Sequence, residues 1–248
     1  MERKTCCVTG HRPKGFPWDY ENDPANTYDH VFETTLERII EKLINDGYNY
    51  FICGGAIGVD QAFATAVEYL RDLKYPHIQI EIAIPCPNQD KLWNKADKAS
   101  YQEICTLADE VTLVSETYTK FCFHKRNEYM VDKSDLVLVV WNGEEKGGTY
   151  STYQYAKRKK KPIELLLLAD VLEEARKRDE EMDAVDEQVF GKPLREFSKF
   201  PMDEFLKYCK KNKIKIPKKG KAEPSDAVVK AIADIELIEE RRKKYYKK

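Results

Sequence analysis

No apolar run in this chain of 248 residues approaches the roughly 20 residues that a membrane-spanning helix needs. The start, Met1-Glu2-Arg3-Lys4-Thr5, lacks the pattern of a secretory signal and leads straight into an apolar segment. Seven cysteines are scattered without a C-x-x-C pair, and several fall in apolar runs, where cysteine acts as a small hydrophobe. Neither a histidine pair nor a cysteine–histidine spacing suggests zinc, so no metal and no other cofactor is expected. There is no G-x-S-x-G elbow, which removes the commonest serine-nucleophile signature. Charge of one sign is also missing: 42 basic against 43 acidic residues leave a net charge of −1 and favour no partner class. These absences describe a reduced, cytoplasmic protein with no membrane partner.

What is present is a regular alternation. Short apolar runs at residues 5–9, 48–53, 78–84, 111–114, 135–141 and 162–168 read as strands. Between them, Val31, Leu36, Ile39, Ile40, Leu43 and Ile44 mark one helix face, with Asp46-Gly47 as its stop. Further helical patterns cover 61–73, 97–107, 123–131 and 148–159. The run Leu136-Val137-Leu138-Val139-Val140 is apolar throughout, as a strand buried on both faces must be. The fold expectation is α/β: a Rossmann-like doubly wound, mainly parallel sheet over residues 1–170. A charged helical C-terminal extension follows over 171–248. In it, 170–187 reads as a helix of mixed sign, 190–200 as irregular and 202–211 as helical. A basic linker at 210–221 and a final helix ending in Arg241-Arg242-Lys243-Lys244 complete it.

A parallel sheet brings the loops beyond its strand ends to one edge. Thr9-Gly10-His11-Arg12-Pro13 follows the first strand, and Gly54-Gly55-Ala56-Ile57-Gly58-Val59-Asp60 follows the second. The latter matches neither G-x-G-x-x-G nor G-x-x-x-x-G-K-[ST], so neither named phosphate loop applies. Strand, glycine turn and helix nevertheless present backbone N–H groups to an anion. The alternative is a tight turn with Asp60 as helix N-cap. Pro85-Cys86-Pro87-Asn88 follows the third strand. Trp141-Asn142-Gly143 leads to Lys146-Gly147-Gly148-Thr149, where Thr149 is a candidate N-cap. Arg12 suits a phosphate or carboxylate, and His11 titrates near neutrality; a surface turn preset by Pro13 is the plainer reading. Arg126-Asn127 is a second polar site, unless Arg126 lies on a solvated helix face. The candidate ligand-binding set is therefore Gly10, His11, Arg12, Gly54, Gly55, Gly58, Asp60, Arg126, Asn127, Gly147, Gly148 and Thr149.

These segments, with Arg126-Asn127-Glu128-Tyr129-Met130, resemble the SLOG superfamily, most closely its YpsA-like branch, over about residues 4–168. The resemblance implies a Rossmann-like domain that binds a nucleotide, a nucleotide sugar or a related signal, and it implies pairing into a homodimer. Relatives include the lonely-guy phosphoribohydrolases, which cleave the N-glycosidic bond of nucleoside monophosphates, and the DprA proteins, which bind single-stranded DNA. The hydrolases carry R-[KN]-x-x-M and then P-G-G-x-G-T-x-x-E, whose arginine and glutamate serve catalysis. Here Arg126 and Met130 match the first motif and Gly147-Gly148-Thr149 a shortened second, but Thr152 stands where the glutamate belongs. A hydroxyl cannot stabilise an oxocarbenium centre or activate water as a carboxylate does. Glu144, Glu145 or Asp60 would have to act from another direction.

The leading expectation is thus recognition of a nucleotide-derived anionic small molecule without turnover. A phosphoribohydrolase or other N-glycosidase with a rearranged acid is the second. A DprA-like nucleic-acid binder that uses the basic tail is the third, against which stand the balanced charge and mixed-sign flanks.

Overall fold

The computed structural model describes residues 2–20 and 27–190. Expectations for 190–248 beyond the end of the last helix lie outside the described residues. By internal packing the chain divides into two units. The first comprises Met1–Glu21 and Tyr28–Glu174 and contains the whole sheet. The second begins again at Ala175, where its described part is the remainder of a helix.

Six strands form one sheet: β1 (Thr5–Thr9), β2 (Tyr50–Cys53), β3 (Gln79–Ile84), β4 (Glu110–Leu113), β5 (Leu136–Trp141) and β6 (Ile163–Leu167). The helices are α1 (Thr27–Asn45), α2 (Val59–Leu73), α3 (Lys95–Leu107), α4 (Cys122–Lys133), α5 (Gly147–Arg158) and α6 (Leu168–Phe190). The spatial order is β4-β3-β2-β1-β5-β6, and every pairing is parallel. The expected Rossmann-like α/β sheet is therefore the fold. Among the described residues no helix is long and apolar enough to cross a membrane.

The chain moves outward from β1 to β4 and then crosses back to lay β5 on the other flank of β1. The sheet's switch point lies between β1 and β5, the place beyond whose carboxyl ends open α/β sheets generally hold ligands. Strands near that point are wholly buried: all residues of β1 and β2, and Leu136–Val140 of β5. Only apolar and small side chains fit between helical layers on both faces, which explains their unbroken apolar character. β4, at one margin, keeps Val111 and Leu113 about half exposed.

Five of the six strand starts differ from the sequence expectation by one or two residues, and for β2 and β3 the cause is local. Tyr48 closes the end of α1, its N–H bonding to the Leu43 carbonyl at 3.0 Å after Gly47 turns the chain at φ +91°. β2 can pair only after that closure. Ile78 is similarly held in a turn by the Tyr75 carbonyl at 3.1 Å, so β3 begins one residue later.

Candidate functional site

The loop leaving β1 is bonded on both sides. The His11 carbonyl accepts from Val59 N–H at 3.1 Å, which joins the loop to the start of α2. His11 Nε2 accepts from Asn142 N–H at 3.2 Å, and Asn142 Nδ2 donates to the Gly15 carbonyl at 3.1 Å. Thr149 Oγ1 donates to the Gly10 carbonyl at 2.8 Å. The first turns of α2 and α5 are thereby fixed to one loop. Since His11 Nε2 is an acceptor, its proton sits on Nδ1, and the ring must be neutral. Burial lowers its pKa below the usual histidine value, while Glu144 acts in the opposite direction.

Glycine is required here by contact as much as by conformation. A Cβ on Gly10 would lie 2.3 Å from Val59 Cγ1. Gly58 stands at φ +95°, where a Cβ would also meet the His11 carbonyl oxygen at 2.6 Å. Gly58, not Asp60, occupies the N-cap of α2. Asp60 lies in the first turn and folds back: its Oδ2 accepts from Gly54 N–H at 3.2 Å and Ala56 N–H at 3.3 Å. Arg126 Nη1 stands 3.7 Å from the same oxygen. Burial raises the Asp60 pKa; Arg126, the two backbone donors and Arg12 oppose it.

The N-cap assignment for Thr149 also changes. The cap lies three residues earlier, at Lys146, so Thr149 falls inside the first turn of α5 and turns its hydroxyl to Gly10. Arg126 is not on a solvated face; it is buried. Its Nε donates to Asn127 Oδ1 at 2.9 Å, and Nη1 reaches the Ala83 carbonyl at 3.5 Å. Asn127 Nδ2 donates to Thr152 Oγ1 at 2.8 Å, and Thr152 donates to the Gly148 carbonyl at 2.9 Å. A chain of contacts therefore runs from Asp60 through Arg126, Asn127 and Thr152 to the α5 start.

Two parts of this edge remain open. An ideal Cβ on Gly147 or Gly148 meets nothing within 4 Å, and α5 has neither a capping side chain nor an acidic residue in its first turn. The Arg12 side chain is exposed, and among the described residues no acceptor bonds its guanidinium. By contrast, Glu144 is paired with Lys146 at 3.2 Å. Sequence reasoning missed the glutamines that pin the glycine turn: Gln89 Nε2 donates to the Gly54 carbonyl at 3.2 Å and Gln61 Nε2 to the Gly55 carbonyl at 3.4 Å. A glutamine in the first turn after a glycine loop, as Gln61 is, was the available signal.

Comparison with known proteins identifies the family of the chain. The chain is 38% identical over 136 residues to the SPbeta prophage-derived protein YoqJ of Bacillus subtilis, covering 50% of this chain and 78% of that protein. It is 30% identical over 189 residues to a UPF0398 protein of Halalkalibacterium halodurans, covering 74% and 97%. The UPF0398 protein YpsA of Bacillus subtilis is 26% identical over 146 residues, covering 58% and 79%. The pattern of one family spans residues 6–171, which includes every loop of the carboxyl edge, and by that match the chain belongs to the YspA SLOG family.

Proposed function

We propose that the carboxyl edge between β1 and β5 holds the anionic part of a nucleotide-derived small molecule and does not hydrolyse it. The observation that carries this reading is the α5 start. Its first-turn N–H groups lack side-chain caps, Gly147 and Gly148 leave space beside them, and the loop bearing the unbonded Arg12 is fixed against the same turn. Uncompensated N–H groups and a helix dipole favour an anion, and a guanidinium adds charge-assisted bonds.

The absence of turnover rests on what the available groups already do. Thr152 spends its hydroxyl between Asn127 and Gly148. Asp60 is directed at backbone donors and Arg126. Neither is a free general acid or base. Titration calorimetry with adenosine monophosphate, adenosine and ribose 5-phosphate tests the reading. The phosphorylated compounds are expected to bind and adenosine to bind at least tenfold more weakly; equal affinity for all three would refute the anion seat.

A further inference from the structure

The ion pair of Asp60 and Arg126 is nearly, but not wholly, enclosed: the two residues are 8% and 7% exposed. Their bonding is one-sided. Asp60 Oδ2 takes both backbone donors of the glycine turn and faces Arg126 Nη1 at 3.7 Å. Arg126 Nη1 also reaches the Ala83 carbonyl, and Nε is bonded to Asn127. Asp60 Oδ1 and Arg126 Nη2 are left without a hydrogen-bond partner among the described residues.

Polar atoms in that condition are costly when water cannot reach them. Outside exposed side chains, Ser115 Oγ is the only side-chain polar atom among the described residues that is sealed from solvent without a partner. Asp60 Oδ1 and Arg126 Nη2 therefore reach solvent. They do so at the carboxyl edge, beside the turn between β2 and α2.

The chemistry of the two atoms narrows what can meet them. A carboxylate oxygen only accepts and a guanidinium only donates, so the missing partner must donate to one and accept from the other. An anion is repelled by Asp60 and a cation by Arg126. A nucleobase would find no stacking surface here. The turn is Gly54-Gly55, and Tyr101, 3.0 Å from the place of a Gly55 Cβ, is itself 8% exposed. Two neighbouring hydroxyls meet every condition, since each carries one proton, two lone pairs and a freely rotating O–H.

The pair is also joined to the α5 start. Arg126 bonds Asn127, Asn127 bonds Thr152, and Thr152 bonds the Gly148 carbonyl, at 2.9, 2.8 and 2.9 Å. Three short contacts separate the ion pair from the anion seat, so one small molecule can occupy both.

We propose, resting on the anion seat at the α5 start, that Asp60 Oδ1 and Arg126 Nη2 hold the vicinal diol of a ribose phosphate. Oδ1 accepts from one hydroxyl and Nη2 donates to its neighbour. The protein then selects ribo- over 2-deoxyribo-compounds. A site built to bond a hydroxyl rejects the analogue lacking it, because the site's own polar atoms lose their partner.

Titration calorimetry on the full chain with adenosine monophosphate and 2′-deoxyadenosine monophosphate tests this. Wild type is expected to bind the ribonucleotide at least tenfold more tightly. In Asp60→Asn the Gly54 and Ala56 N–H groups keep the amide oxygen at the Oδ2 place, which sets an NH2 where Oδ1 stood. The preference should then drop below threefold. Equal affinity for the two nucleotides in wild type, or a preference that Asp60→Asn leaves unaltered, overturns the diol site while the anion seat stands. Binding of neither nucleotide removes the seat and the diol site together. Where the variant does not fold, the wild-type ratio decides.

Discussion

Gly54 and Arg126 are fitted to each other: a Cβ on Gly54 would lie 1.3 Å from Arg126 Nη1. Seventy-two residues separate them in the chain, yet the arginine can reach Asp60 and the Ala83 carbonyl only across the bare face of that glycine. Gly54→Ala must therefore displace a buried guanidinium. The expected loss is about 1–3 kcal/mol of stability, as for other overpacked interiors. Urea unfolding measures it, and a loss below 0.5 kcal/mol, an order-of-magnitude threshold, would show that Arg126 has another route.

Removing the arginine instead exposes the other half of the relationship. Arg126→Met leaves Asp60 buried without its counter-charge, at a cost of about 3 kcal/mol or more near neutral pH. Burial already raises the Asp60 pKa in the folded protein. Loss of the opposing cation raises it further, so the folded variant favours the protonated acid. A raised folded pKa gives stability that is present at low pH and is lost as pH rises through that pKa. The deficit of Arg126→Met relative to wild type should consequently be smaller at pH 5 than at pH 8. Equal deficits at the two pH values would show that Asp60 does not depend on Arg126.

His11 responds in the opposite sense. Its folded pKa is lowered, chiefly by burial, and its Nε2 must stay unprotonated to accept from Asn142. A depressed pKa contributes stability above the unfolded value, about 6.5, and that contribution is lost as pH falls through the folded pKa. The melting temperature of wild type should fall more steeply between pH 7 and pH 5 than that of His11→Gln. Parallel curves would remove His11 from the pH response.

Arg12 should separate binding from folding. Its side chain is exposed and unbonded among the described residues. Arg12→Ala should leave the melting temperature within about 1 °C, as expected for an exposed surface change. It should weaken ribose 5-phosphate binding by about tenfold or more, the worth of one charge-assisted bond. An unchanged affinity would place the anion elsewhere.

Thr152 tests the absence of turnover. Wild-type protein should release no adenine from adenosine monophosphate above the buffer rate, as followed by liquid chromatography. Thr152→Val should remain equally inactive and lose roughly 1–3 kcal/mol, because Asn127 Nδ2 keeps no buried acceptor there. Release of adenine by the wild type would assign catalysis to another carboxylate.

The sheet was legible in the sequence because fully buried parallel strands admit little but apolar residues, as Leu136–Val140 shows. The glycine loops were legible as glycine-rich turns after apolar runs, although the demand on Gly10 comes from Val59 and that on Gly58 partly from the His11 carbonyl, contacts between the two loops that the sequence does not display. The cap of α2 was read two residues late, at Asp60, and that of α5 three residues late, at Thr149. Both types are favoured caps, but here Asp60 bonds back to the glycine turn that precedes it and Thr149 bonds to the loop after β1. The burial of Arg126 could not be read from its own helix, since its partners come from β3 and the α2 start. Glu81 passed unnoticed as a single acid in an apolar strand; Tyr50 and Tyr129, whose hydroxyls donate to it, lie 31 and 48 residues away.

The bonds from Gly10 and His11 to Val59, Asn142 and Thr149 have a kinetic consequence. They brace the two helix starts as one stiff plate, so a ligand would meet a seat already in its final shape. Little conformational entropy would be lost on docking. Arrival would then proceed in one concentration-dependent phase without a slower closing step, and differences among ligands would appear as how long each one stays.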